Sequence, residues 1–131
     1  MTKLSLIGIA ALVAMLSLLA STALASGHKG GRGIIKTGKC SASSHWKLKA
    51  KADDGRIETE FEVDQNRVGK RWRVTIARNG HAVFRGIRTT MAPSGSFEVR
   101  RLLAGSAAGT RIVATAKSLQ TGETCRAALA L

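Results

Sequence analysis

The chain has 131 residues, a formal net charge of +13, two cysteines and 4% aromatic residues. That length suits one domain, and so few aromatics leave Val, Ile, Leu and Ala to fill its core. Two cysteines and three scattered histidines (His28, His45, His81) lack the four closely spaced ligands of a structural zinc site, so no metal and no cofactor is expected.

Met1-Thr2-Lys3 is a short positive start, and Leu4–Ala20 is almost wholly apolar. Ser21-Thr22-Ala23-Leu24-Ala25 ends in an Ala-x-Ala site before Ser26. This order reads as a secretory signal peptide over residues 1–25. An uncleaved anchor is the weaker reading, because Gly8, Ser17, Ser21 and Thr22 interrupt the stretch and no charged stop follows it. Cleavage after Ala25 leaves 106 of the 131 residues and, with Lys3 gone, a charge of +12. The expected location is therefore extracellular, with no transmembrane span after cleavage.

Residues 26–39 (SGHKGGRGIIKTGK) are rich in glycine and basic residues and have little to bury. They read as a flexible arm, with Ile34-Ile35 a candidate start of the ordered domain. The domain itself is expected over residues 40–131. Cys40 and Cys125 stand near its two ends, and in an exported chain they predict one disulfide.

His45–Ala52 and Ile57–Asp64 alternate strictly between apolar and polar positions, the period of a half-buried strand. Asp54-Gly55 between them is a two-residue hairpin signal. That turn sets Lys51 opposite Glu58, Lys49 opposite Glu60 and Lys47 opposite Glu62. On the other face it sets Leu48 opposite Phe61 and Trp46 opposite Val63. One register satisfies both faces, and a slip by one residue would break both. The three glutamates therefore read as ladder partners of lysines, not as a metal or catalytic cluster.

Arg71–Ala77 alternates again, with Trp72, Val74 and Ile76 on one face. A three-residue loop, Arg78-Asn79-Gly80, pairs Val74 with Phe84 and Ile76 with Ala82, and sets Arg73 against Arg85. Thr89–Gly95 holds the only proline, Pro93, and reads as a loop. Ser96–Arg100, Arg111–Ser118 and Thr124–Leu131 complete seven strands. No segment has a helical period. The predicted fold is an all-β, seven-stranded antiparallel β-sandwich, with a small β-barrel as second choice.

Trp46-Lys47-Leu48-Lys49, Glu60-Phe61-Glu62-Val63-Asp64, Ser94-Gly95-Ser96-Phe97 and Thr121-Gly122-Glu123-Thr124-Cys125 resemble a group of small exported proteins of high-GC Gram-positive bacteria. The likeness spans Cys40–Leu131. It implies secretion and an immunoglobulin-like or fibronectin III-like sandwich, and it implies no activity.

For chemistry, the chain offers no Gly-x-Ser-x-Gly elbow and no phosphate-binding glycine loop. A non-enzymatic role is expected. Charge is the remaining lead: twelve basic and two acidic residues follow Asp64. Arg71, Arg73, Arg78, Arg85 and Arg88 cluster around the second hairpin and form the candidate anion-binding set. The expected partners are anionic cell-surface polymer or lipid headgroups, and export argues against genomic DNA. Two other classes compete. One is a secreted inhibitor presenting Thr89–Gly95 on a rigid frame. The other is a small hydrolase, which would need a deep pocket joining His45 or His81 to a carboxylate and a hydroxyl.

Overall fold

A computed structural model describes residues 33–131. The expected leader, and the arm as far as residue 32, lie outside the described residues. Eight strands follow one another: β1 (Ile34–Lys39), β2 (His45–Asp53), β3 (Arg56–Asp64), β4 (Arg71–Arg78), β5 (His81–Thr89), β6 (Ser96–Ala104), β7 (Arg111–Ser118) and β8 (Thr124–Ala130). They form two four-stranded antiparallel sheets, ordered β1-β2-β3-β6 and β5-β4-β7-β8. The fold is a β-sandwich with no helix among the described residues.

The strand count differs from the expected seven because residues 34–39 are ordered. β1 pairs with β2 along its whole length, from Ile34 opposite Ala50 to Lys39 opposite His45. Its sequence, IIKTGK, ends a glycine-rich basic stretch that reads as an arm. Gly38 has a packing reason, however: it lies opposite Trp46, and a Cβ there would collide with the indole ring.

The β2–β3 hairpin has the predicted register at every pair, from Asp53 opposite Arg56 to His45 opposite Asp64. Its inward face sends Leu48, Ala50, Ile57, Phe61 and Val63 into the core. Its outward face carries the charge ladder: Lys47–Glu62 at 3.8 Å, Lys49–Glu60 at 3.8 Å and Lys51–Glu58 at 3.7 Å. β6 lies on the other side of β3 and adds Arg100, which reaches Glu58 at 3.0 Å and Glu60 at 3.8 Å.

The β4–β5 hairpin departs from the predicted register. Asn79 and Gly80 take φ of 47° and 82°, so the turn is the two-residue type with both central residues left-handed. Arg78 therefore faces His81 and Ala77 faces Ala82. Val83 is then skipped as a bulge, and Ile76 faces Phe84 and Val74 faces Gly86. The bulge has a clear benefit. Without it Phe84 would oppose Thr75 and point outward; with it Phe84 is buried and Val83 takes the exposed position. Arg73 consequently faces Ile87, not Arg85, and Arg85 faces Thr75.

Trp72, Val74, Ile76 and Ile112 cover the inner side of the second sheet, beside the small Ala114, Ala116 and Ala127. Burial of each large apolar side chain contributes about 1.5–3 kcal/mol. Cys40, in the loop after β1, bonds to Cys125 in β8 across 85 residues. The chain-entropy model gives about 4–5 kcal/mol for closing such a loop. Beside it, Glu123 is buried and its carboxylate accepts from the Ser44 backbone N–H (3.1 Å) and hydroxyl (2.7 Å).

Glu58 is also buried. The hydrogen bond from Arg100, reinforced by the charges of Arg100 and Lys51, holds its carboxyl below the usual value of 4.5. A folded-state pKa below the unfolded one stabilises fully above about pH 4.5, and the gain is lost as pH falls through the depressed value. The urea midpoint should therefore fall on acidification below that pH, and Arg100→Ala should flatten part of the fall. An Arg100→Ala profile parallel to wild type would contradict this pairing.

Candidate anion-binding face

The two sheets carry equal numbers of basic residues and very unequal numbers of acids. Strands β1, β2, β3 and β6 hold eight Lys/Arg and six Asp/Glu. Strands β4, β5, β7 and β8 hold eight Lys/Arg and no acid. Glu123, in the turn between β7 and β8, is buried against Ser44 and presents no charge to this outer face.

Alternation decides which of these cations point outward. In β4, Trp72, Val74 and Ile76 face the core, so Arg71, Arg73 and Thr75 face out. Arg85 lies opposite Thr75 and is exposed. In β7 the buried Ile112, Ala114 and Ala116 leave Thr115 and Lys117 outside. In β8 the buried Cys125, Ala127 and Leu129 leave Thr124 and Arg126 outside. Across the sheet, Arg73 meets Lys117 directly, Thr75 meets Thr115, and Thr115 meets Arg126. Like charges directly opposite destabilise a sheet, yet no carboxylate on this face relieves Arg73 and Lys117.

Three of the five arginines singled out from the sequence, Arg71, Arg73 and Arg85, thus share one face. The other two do not. Arg78 has the inward parity and reaches across the open end of the sandwich. It donates to the Ala104 carbonyl, to the Ser106 carbonyl at 3.0 Å, and toward the Thr110 hydroxyl. It fastens the β6–β7 loop. Arg88 also has inward parity, at the β5 edge; its guanidinium lies 4.9 Å from the centroid of the Phe84 ring and donates to the Ile87 carbonyl. Arg101 of β6 approaches the same ring at 4.5 Å.

Lys117 and Arg126 belong to the face and were missed by sequence reasoning. Each is the polar member of an alternating strand, which was a usable signal. What the sequence lacked was the order of the strands, which sets β7 beside β4.

Ser43, His45 and Asp64 line one shallow surface hollow. No hydrogen bond joins these three among the described residues; the Asp64 carboxylate accepts instead from the Asn66 backbone N–H at 2.9 Å. His45 is exposed, so the buried, oriented imidazole of a catalytic triad is not assembled there. His81 is exposed in the β4–β5 turn. The Thr89–Gly95 loop is fastened by the buried Thr90, whose hydroxyl donates to the Arg67 carbonyl and accepts from the Lys70 N–H at 2.9 Å.

Comparison with protein-family models, curated proteins and solved structures finds no match to this chain.

Arg78 and Arg85 separate fastening from display. Arg78→Ala removes hydrogen bonds to two carbonyls and should cost about 1–3 kcal/mol in urea unfolding. Arg85→Ala should stay within about 0.5 kcal/mol of wild type. Equal losses would contradict the different roles given to these two side chains.

Proposed function

We propose that the chain is an exported, non-enzymatic β-sandwich that binds anionic components of the cell envelope through the outer face of the β5-β4-β7-β8 sheet. The observation that carries this reading is the charge segregation. Arg71, Arg73, Arg85, Lys117 and Arg126 are exposed on a sheet that contains no acidic residue. On the opposite sheet Lys47, Lys49 and Lys51 are instead paired with Glu62, Glu60 and Glu58. Export is supported by the leader-like start and by a disulfide, a bond that persists in oxidising compartments.

We also read the sandwich as fibronectin III-like. Setting β1 aside leaves three strands (β2, β3, β6) facing four (β4, β5, β7, β8), with successive hairpins split between the sheets. The disulfide ties the β1–β2 loop to β8, unlike the bond between inner strands of antibody domains. The sandwich and the leader-like start together support the reading that the chain is one of the small exported proteins of high-GC Gram-positive bacteria.

Binding of this kind releases counter-ions, so affinity falls steeply with salt. Retention on an immobilised polyanion should be lost as salt rises from about 50 to 300 mM. The double change Arg73→Glu/Lys117→Glu should cut low-salt affinity at least about tenfold, while Lys47→Glu should have a smaller effect. Absence of low-salt retention, or retention that ignores the double change, would overturn the proposal.

A further inference from the structure

The basic face gathers its polar groups around one hollow. A shallow depression of about 310 Å³ lies between β4, β7 and β8. Arg73, Lys117 and Arg126 bring three cations to it, and Thr75, Thr115 and Thr124 bring three hydroxyls. No carboxylate lines it. The register explains the convergence: Arg73 faces Lys117, Thr75 faces Thr115, Lys117 faces Thr124 and Thr115 faces Arg126. Neighbouring strands are about 4.8 Å apart, so six polar side chains from three adjacent strands line one small area of the face.

These polar groups are not used by the fold. The threonine hydroxyls that hold the structure together are those of Thr90, Thr110 and Thr121. Among the described residues, those of Thr75, Thr115 and Thr124 have no hydrogen-bond partner; Thr124 contributes its backbone N–H, to the Ser41 hydroxyl. The ion pairs of the described residues all lie on the opposite sheet, so Arg73, Lys117 and Arg126 have none.

We propose that this hollow seats one tetrahedral oxyanion, a phosphate or sulfate ester, carried on an extended polymer that has no bases. The proposal rests on the polyanion-binding reading above and names the chemistry of its ligand. A planar carboxylate offers two oxygens, whereas a tetrahedral ester offers acceptors in several directions. A guanidinium fork, an ammonium and hydroxyl donors arriving from three strands match the second geometry. A nucleic acid would gain from stacking, but Trp72, Phe61, Phe84 and Phe97 are all buried and no aromatic stands on this face. Nor does the face carry a Trp, Phe or Met to enter a bilayer. A second shallow depression, lined by Arg73, Thr75, Arg85, Gly86 and Ile87, adjoins the first across β4. A polymer running across the strands meets both.

The test removes hydroxyls without touching charge. Thr115→Val/Thr124→Val replaces two exposed strand threonines by a residue of high β-propensity, and its urea midpoint reports that it folds. Binding is measured by titration calorimetry against inorganic polyphosphate, dextran sulfate, oligothymidylate and phosphatidylglycerol vesicles at several salt concentrations. Wild type should bind polyphosphate or dextran sulfate tighter than the other two probes, and the tighter of these identifies the ester. The double variant should bind that polymer about tenfold more weakly with an unchanged salt slope. Lys117→Gln, as an independent variant, should weaken binding and also reduce the slope by about one. Salt-dependent binding that is unaffected by the threonine changes, or that favours oligothymidylate or vesicles, would overturn the hollow and leave the wider reading intact. No binding to any probe at low salt would overturn both.

Discussion

The cross-strand pairing of Lys47, Lys49 and Lys51 with Glu62, Glu60 and Glu58 is the constraint on which the rest depends. The solvent-accessible pairs, Lys47–Glu62 and Lys49–Glu60, each stabilise the chain little. The importance of the pairing is positional. Strict alternation of both strands leaves one register in which Leu48 meets Phe61 inside while the charges match outside. That register commits most of the acidic residues of the chain to one sheet. Arg100 extends the ladder onto β6, where it holds Glu58 and Glu60 together. The second sheet is then left with cations alone.

The open ends of the sandwich are closed by different means. At the β1–β2 end, the Cys40–Cys125 bond and the buried Ser44–Glu123 hydrogen bonds tie the two sheets together. Arg78 closes another opening by holding the β6–β7 loop through carbonyl contacts. Near the β5 and β6 edges, Arg88 and Arg101 pack against Phe84. Several arginines are thus structural, so the number of basic residues overstates the size of the proposed binding face.

How much could be read from the residues depended on how local the deciding interaction was. The β2–β3 hairpin was legible pair by pair, because its turn and both its faces lie within one short segment. The β4–β5 hairpin was not. Local alternation favours a three-residue loop, Arg78-Asn79-Gly80, over the two-residue turn that forms, because the bulge at Val83 answers to the burial of Phe84, which no local pattern reveals. β1 was missed because its glycine looked like arm composition, whereas Gly38 makes room for Trp46. For the candidate face, clustering around the second hairpin picks out Arg71, Arg73 and Arg85 along with Arg78 and Arg88. It could not find Lys117 and Arg126, since their nearness to Arg73 depends on β7 lying between β4 and β8. Arg78 and Arg88 lie off this face: Arg78 reaches carbonyls of the distant β6–β7 loop, and Arg88 stacks on Phe84 of its own strand.

One sheet largely neutralised by its own acids and one bare of them make a two-faced molecule. Specificity for an anionic polymer would then come from location, with the neutralised ladder contributing little attraction and the β5-β4-β7-β8 face contributing most of it. The most direct test is amide and side-chain NMR shift mapping during titration with inorganic polyphosphate. Perturbations should concentrate on Arg73, Thr75, Thr115, Lys117, Thr124 and Arg126. Shifts concentrated on Lys47, Lys49 and Lys51, or spread evenly over both sheets, would contradict a single anion-binding face.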